Sequence, residues 1–430
     1  MPPLTYQTAG ESHGPAMIAL VNGLPADLEL DVEFINFELR RRQGGYGRGA
    51  RQRIESDSIT WLSGVRRVAD VPLEKGASGP SAAQAPTSPE RYQTTGAPLA
   101  MLIANRDHRL HDPQQTPPVT RPRPGHADLA GALKWLTTDC RSTLERASAR
   151  ETAARTAAGA VARCLLRQFD IVTFGFVRGM LDATTSVQPA RESLADLIAL
   201  RSESEVYCPD PAISERIIAH IHKAKTDKDT VGGLAEVHVF GVPPGLGTCA
   251  NWEQRLDARL AAAVMGIQAF KAVEIGLGKD CAFRSGSQVH DAITFDAART
   301  GEAHFGFLRP SNNAGGIEGG MSNGMPVVVR GTMKPISTLL RGMPSVDLNT
   351  RAAEHSAYER SDVCALPAAS VVMENVVAFE IARAFLEKFA GDTMQEVRAA
   401  HEAYLRAARS LAGGSHPSAV LNADADQSEA

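Results

Sequence analysis

The 430-residue chain contains no run of about 18 apolar residues, so nothing in it is long enough to cross a bilayer as a helix. Its first residues, MPPLTYQTAGESHG, show no basic segment followed by an apolar stretch, and no secretory leader is expected. Its six cysteines (Cys140, Cys164, Cys208, Cys249, Cys281 and Cys364) are scattered and form no C-x-x-C pair. That argues against a disulfide framework and for free thiols in a reducing cytoplasm. An excess of positive charge is also missing: 45 Lys and Arg stand against 49 Asp and Glu, a net charge of −4. A dedicated nucleic-acid binder is usually far more basic. No repeat of fixed period appears, and no long linker. GLGKD (276–280) lacks the Ser or Thr of a Walker A loop, and no G-x-G-x-x-G lies between a strand and a helix. His108, His111, Asp107 and Asp112 cluster without a recognised metal-ligand spacing, and read as a polar loop.

Against that balanced background one segment stands out. RRRQGGYGRGARQR (40–53) packs six arginines and four glycines into fourteen positions. A flexible arm for nucleic acid and a focused pocket for a small polyanion both remain open from this segment alone. Further arginines lie beside His, Ser or Asp in TRPRPGHAD (120–128), CRSTLERASAR (140–150) and YERSD (358–362). Guanidinium groups grip carboxylates and phosphates through a rigid fork of donors, and several such clusters in a chain of balanced charge point to one convergent site.

Periodicity predicts helices over 148–169, with Ser148 as N-cap, over 253–273, with a stripe of Leu256, Leu260, Val264, Ile267 and Phe270, and over 370–389, apolar on most faces. His220 and His222 fall on an amphipathic helix, pointing to different faces. Strand patterns fall at 170–180, 234–242 and 325–333. Strands and helices do not alternate regularly, which favours an α+β fold with antiparallel sheet over a doubly wound one. Residues 74–98 read as a surface excursion, 105–128 as irregular because of its prolines, and the tail from Gly413 as disordered. GESHG (10–14) fits G-x-S-x-G, but a hydrolase elbow follows several strands and only nine residues precede this one.

Seven segments together resemble the chorismate synthase family: GESHGPAMIALVNGLPADL (10–28), RRRQGGYGRGAR (40–51), RPRPGHADLAGALKW (121–135), ERASARETAARTAAGAVAR (145–163), and three later blocks at 242–278, 311–338 and 359–392. They occur in the family's order. The resemblance implies a β–α–β sandwich, helices between antiparallel sheets, as a single catalytic domain over 1–412, assembled as a cytoplasmic homotetramer with no nucleic-acid or membrane partner. It implies a carbon–oxygen lyase of the shikimate pathway, converting 5-enolpyruvylshikimate 3-phosphate to chorismate and phosphate with reduced FMN; FAD and NADP are the other nucleotides it suggests. Bifunctional members reduce their own flavin with NADPH, and the lack of an obvious extra domain here favours outside reduction.

By the same resemblance His13 would protonate the departing phosphate, His126 would face the anionic edge of the reduced flavin, and Asp362 would help a flavin nitrogen accept the ring proton. Ser361 stands where some members have His. Arg42, Arg48, Arg51 and Arg123 would bind substrate or NADP. Arg146, Ala147, Ser148, Gln268, Ala269, Gly319, Lys334, Pro335, Ile336, Ser337, Thr338 and Arg360 would bind FMN. A flavin oxidoreductase without elimination activity is the alternative enzyme reading.

Overall fold

The computed structural model describes residues 2–49, 56–68, 91–112, 114–357 and 362–414. Two antiparallel sheets enclose a layer of helices. The first sheet runs in the order Thr5–Ala9, Ala16–Asn22, Leu99–Ala104, Thr60–Ser63. The second runs Phe270–Ile275, Val327–Met333, Gly233–Phe240, Val172–Met180, Ala183–Thr184. In the second sheet Val237 is paired with Val329 on one side and Gly175 on the other. Ala235, Val237 and Val239 point inward, as the alternation of a strand requires, and are fully buried.

Three helices fill the space between. Thr152–Arg167 packs on the first sheet, Leu366–Lys388 packs on the second, and the two lie against each other. Leu366–Lys388 is buried on nearly every face, which explains its even apolarity, and Pro367 sits in its first turn, where a missing N–H costs nothing. Thr152–Arg167 is rich in alanine because its partner comes close: a Cβ added at Gly159 would lie 2.3 Å from the Asn375 carbonyl oxygen. The third, Val32–Gln43, starts at Asp31, whose carboxylate accepts from Phe34 N–H at 2.9 Å, and ends in Arg40, Arg41 and Arg42. Cations at a C-terminus are favoured by the helix dipole.

Arg41 turns inward from that helix into a fully enclosed ionic network. It reaches Glu38 at 2.8 Å and Glu374 at 3.1 Å, and Arg163 reaches the same two carboxylates at 2.7 and 2.9 Å. Arg201 adds a contact to Glu374 at 3.4 Å, and the Asn375 amide donates to Glu38 at 3.0 Å. All three arginines and both glutamates are buried. The network ties the arginine helix to both central helices.

Several expectations need adjustment. The stripe read over 253–273 is not one helix: Leu256–Met265 is helical, Ala269 takes φ +69°, and Phe270 opens an edge strand. Leu256, Leu260 and Val264 bury from the helix, while Ile267 and Phe270 bury from the turn and strand, so the apolar spacing persists across a change of element. The helix expected over 148–169 begins with a short 3₁₀ turn, Ala149–Glu151, capped by the Ser148 hydroxyl, which accepts from Arg150 N–H at 3.3 Å. Within the stretch read as a surface excursion, Arg91–Thr94 is the middle strand of a three-stranded sheet with Glu29–Leu30 and Val65–Val68; residues 74–90 lie outside the described residues. Residues 415–430 of the expected disordered tail also lie outside them.

Candidate active site

The GESHG loop links the first two strands and is pinned from below by a single amide. Asn105 donates to the carbonyls of Gly14 at 2.7 Å, Glu11 at 3.1 Å and Ser12 at 3.3 Å. His13 is thereby fixed and nearly buried, 7% exposed. Its Nδ1 lies 2.9 and 3.0 Å from the two Glu145 carboxylate oxygens, and its backbone N–H donates to the same carboxylate at 2.9 Å. Its Nε2 faces Arg109 Nη2 at 3.3 Å and Asp107 at 4.0 Å. The polar loop carrying His108 and His111 is therefore a wall of this site: Arg109 and Leu110 N–H groups both donate to the His13 carbonyl. Among the described residues no group of three or more His, Cys, Asp or Glu is placed to hold a metal ion.

The arginines converge beside this loop. Arg42 Nε donates to Thr152 Oγ1 at 3.2 Å, and its Nη1 lies 3.5 Å from Asp57. Arg150 grips the same Asp57 carboxylate with bonds of 2.6 and 2.7 Å and Asn105 at 2.8 Å. Two guanidiniums thus share one carboxylate. Burial pushes the Arg42 guanidinium down to about 10; Asp57 opposes this, while Arg150 and Arg48 add like charge. Arg48 donates to Asp362 at 2.6 Å, and the Gly49 N–H donates to the other oxygen of that carboxylate at 2.6 Å. A desolvated surplus of positive charge is a site waiting for an anion.

A second cluster adjoins it through a chain of contacts. Arg146 donates to the Gly10 carbonyl at 2.9 Å and the Thr8 carbonyl at 2.8 Å, and Ser148 donates to the Ser12 hydroxyl at 3.1 Å. Ala147 lies between them at the end of the Arg141–Ala147 helix. Thr8 donates to Glu151 at 2.6 Å, and Glu151 accepts from the Gln268 amide at 3.0 Å. Ala269 accepts from the Lys334 N–H at 2.9 Å, and the Lys334 ammonium donates to the Gly125 carbonyl at 2.7 Å. Gly125 takes φ +76°, a backbone conformation that favours glycine, and a Cβ there would only just touch Lys334 Nζ at 3.4 Å. Next to it, Arg123 donates to Asp128 at 2.8 Å and to Thr338 at 3.0 Å, and His126 Nδ1 bonds Asp128. Burial pushes the Asp128 carboxyl up, but His126 and Arg123 outweigh it and hold it well below the usual range. Burial, with Lys271 nearby, pushes the Lys334 ammonium down. Pro335, Ile336 and Ser337 complete this stretch: the Ile336 carbonyl accepts from Thr230 at 2.7 Å, and Ser337 Cβ would lie 3.7 Å from a Cβ on Gly125.

Comparison with known proteins gives the family. The chorismate synthase family model matches residues 4–73 and 88–386. Chorismate synthase from Desulforamulus reducens is 48% identical over 405 residues, covering 92% of this chain and 97% of that one. Chorismate synthase from Pelobacter propionicus is 48% identical over 420 residues, covering 95% and 100%. A crystal structure of chorismate synthase superposes with a TM-score of 0.70 at 36% identity, over 95% of this chain and 99% of that one.

The chain belongs to the chorismate synthase family.

It is accordingly a carbon–oxygen lyase with the α+β fold of chorismate synthase. Among the described residues no helix is long and apolar enough to cross a membrane. Of the chorismate synthase positions, Arg48 and Asp362 pair beside Arg42, His13 is linked to them through Asn105, Arg150 and Asp57, and Arg123, His126, Arg146, Ala147, Ser148, Gln268, Ala269 and 334–338 follow in the second contact chain. Gly319 stands apart. It tips a hairpin whose Gly320 carbonyl accepts from Leu256 N–H at the start of the Leu256–Met265 helix, while Gln268 follows the far end, about 15 Å along that helix. Arg51, Arg360 and Ser361 lie outside the described residues. The sequence reading missed Asn105, Asp57, Arg150, Glu145, Glu151 and Asp128. Glu145, Arg150, Glu151 and Asp128 lie inside the ERASARETAARTAAGAVAR and TRPRPGHAD segments, but only contact distances show that they hold the named residues.

Proposed function

We propose that this chain converts 5-enolpyruvylshikimate 3-phosphate to chorismate and phosphate by 1,4-anti elimination, using reduced FMN, as the last step of the shikimate pathway. The observation that carries the reading is the buried surplus of guanidinium groups around Arg42, tied to the His13 loop through Arg150 and Asn105. The substrate has a phosphate and two carboxylates, and Arg42 and Arg48 would meet that charge. Such contacts strengthen as water leaves the site. His13, whose Nε2 faces Arg109, would give the departing phosphate its proton, a role suited to imidazole. Asp362 orients Arg48 and the Gly49 N–H.

The residues beside this pocket fit a flavin nucleotide. Gln268 Oε1 is buried with no hydrogen-bond partner among the described residues, so a donor is wanted there. Lys334, Ser337 and Thr338 would hold the phosphate; Arg146, Ala147, Ser148, Gln268 and Ala269 would line the ring; His126 would close its polar edge, and Arg123 beside it would contact substrate or NADP. Gly319 and Arg360 are kept as FMN positions on the family pattern. Bound reduced FMN supplies transient electron donation to the breaking C–O bond. We read the enzyme as one catalytic unit over 1–412, a cytoplasmic homotetramer, with its flavin reduced from outside rather than by NADPH at this site.

Stoichiometry tests the reading. Under anaerobic conditions with photoreduced FMN, many phosphates should be released per reductant consumed. One reductant per turnover would instead establish a flavin oxidoreductase. Adding NADPH in place of light should give no turnover.

A further inference from the structure

The two ring nitrogens of His13 meet groups of opposite kind. A carboxylate only accepts hydrogen bonds, and a guanidinium only donates them. Glu145 is fully buried and receives the His13 backbone N–H as well as Nδ1. Burial pushes its carboxyl up, but the His13 hydrogen bonds and charge and the nearby Arg141 outweigh this, so it is ionised at neutral pH. Nδ1 must then carry a proton. Arg109 Nη2, 3.3 Å from Nε2, requires a lone pair on that atom. The two contacts independently demand the same tautomer.

We propose that Glu145 is a positioning residue that locks His13 as the Nδ1–H tautomer, leaving Nε2 as the single atom through which the ring exchanges a proton. The proposal rests on the elimination reading for what that proton does. A proton taken up at Nε2 produces an imidazolium whose charge is balanced by Glu145, and the same proton passes to a phosphate oxygen as the C–O bond breaks, returning the ring to its starting tautomer. Arg109 marks the place the phosphate oxygen takes. Among the described residues, the charged groups facing the ring include Glu145, with Arg141 behind it at 3.5 Å, on one helix, and Arg109 and Asp107 on the 105–112 loop.

The test is ¹⁵N NMR of histidine-labelled protein, with the His13 signals identified by their loss in His13→Ala. In the wild type, neutral His13 should be protonated at Nδ1. Glu145→Gln, whose amide can donate or accept, should give a mixture of tautomers and a kcat lower by about 10–100-fold with the substrate KM nearly unchanged. Glu145→Asp should restore the Nδ1–H signal and part of kcat. Protonation at Nε2 in the wild type, or a Glu145→Gln enzyme with full kcat, overturns the proposal. Should Glu145→Gln not fold, the wild-type spectrum decides alone. The spectrum needs no turnover, so failure here is separable from failure of the phosphate-release stoichiometry.

Discussion

Arg48 and Asp362, 314 residues apart in the chain, meet at 2.6 Å. In the absence of ligand each neutralises the other, so the arriving anion must compete with Asp362 for Arg48. Arg48→Ala should weaken substrate binding by about 1.5–3 kcal/mol, the scale of a hydrogen bond to a charged group. Asp362→Asn should do the reverse, tightening anion binding by about 1 kcal/mol, or roughly fivefold, while turnover falls. Titration calorimetry with oxidised FMN reads both without chemistry. Unchanged affinity in Arg48→Ala would remove Arg48 from the anion pocket.

His13→Ala should leave flavin affinity as it is, because among the described residues the ring bonds Glu145 and Arg109, while Lys334 bonds Gly125. Turnover should drop by about 10²–10⁴-fold, the usual contribution of a positioned acid. Flavin fluorescence and phosphate release measure the two separately, and normal turnover would take the acid role from His13.

Acid should act on the core as well as the site. Burial pushes the Glu38 carboxyl up, but Arg163 and Arg41, with the Asn375 amide, bring it down to about 2. An unfolded glutamate titrates near about 4.3. A depressed folded value gives stability that is fully present above that unfolded value and is lost as pH falls toward about 2. Glu38→Gln should flatten the fall of Tm in this window and cost about 3–5 kcal/mol at neutral pH, since buried guanidiniums would lose their counter-charge. A parallel fall of Tm in both proteins below pH 4 would assign the acid sensitivity elsewhere.

Gly159→Ala pits propensity against packing. Alanine gains about 1 kcal/mol in a helix interior. The added methyl meets Asn375 backbone at 2.3 Å and its Cβ at 2.5 Å, neither of which can step aside without moving the Leu366–Lys388 helix. Overpacking of this kind costs about 1–3 kcal/mol. Denaturant unfolding should show a less stable variant; a gain would mean that the two helices can separate at little cost.

How much of this was legible beforehand differs by level. The Leu366–Lys388 helix and the Val172–Met180, Gly233–Phe240 and Val327–Met333 strands follow from patterns confined to each segment. The break after Met265 does not: Ile267 and Phe270 keep helical spacing, and only pairing with Val327–Met333 makes Phe270 a strand residue. For the site, His13 and Arg42 were named from the family resemblance carried by GESHG and RRRQGGYGRGAR. Glu145 was not, although it lies in ERASAR, because a glutamate on a helix looks solvated until the fold brings His13 across 132 residues to meet it. Asn105 is invisible for the same reason: its work is to collect three carbonyls from another strand connection.

Arg41 and Arg42 are neighbours on one helical turn, yet one is clasped by Glu38 and Glu374 while the other reaches Asp57. A lever fixed at one end transmits force to the other. Loosening the interior clasp would swing the outer guanidinium off its target, and a mutation wholly remote from any ligand would then surface as a defect in grip.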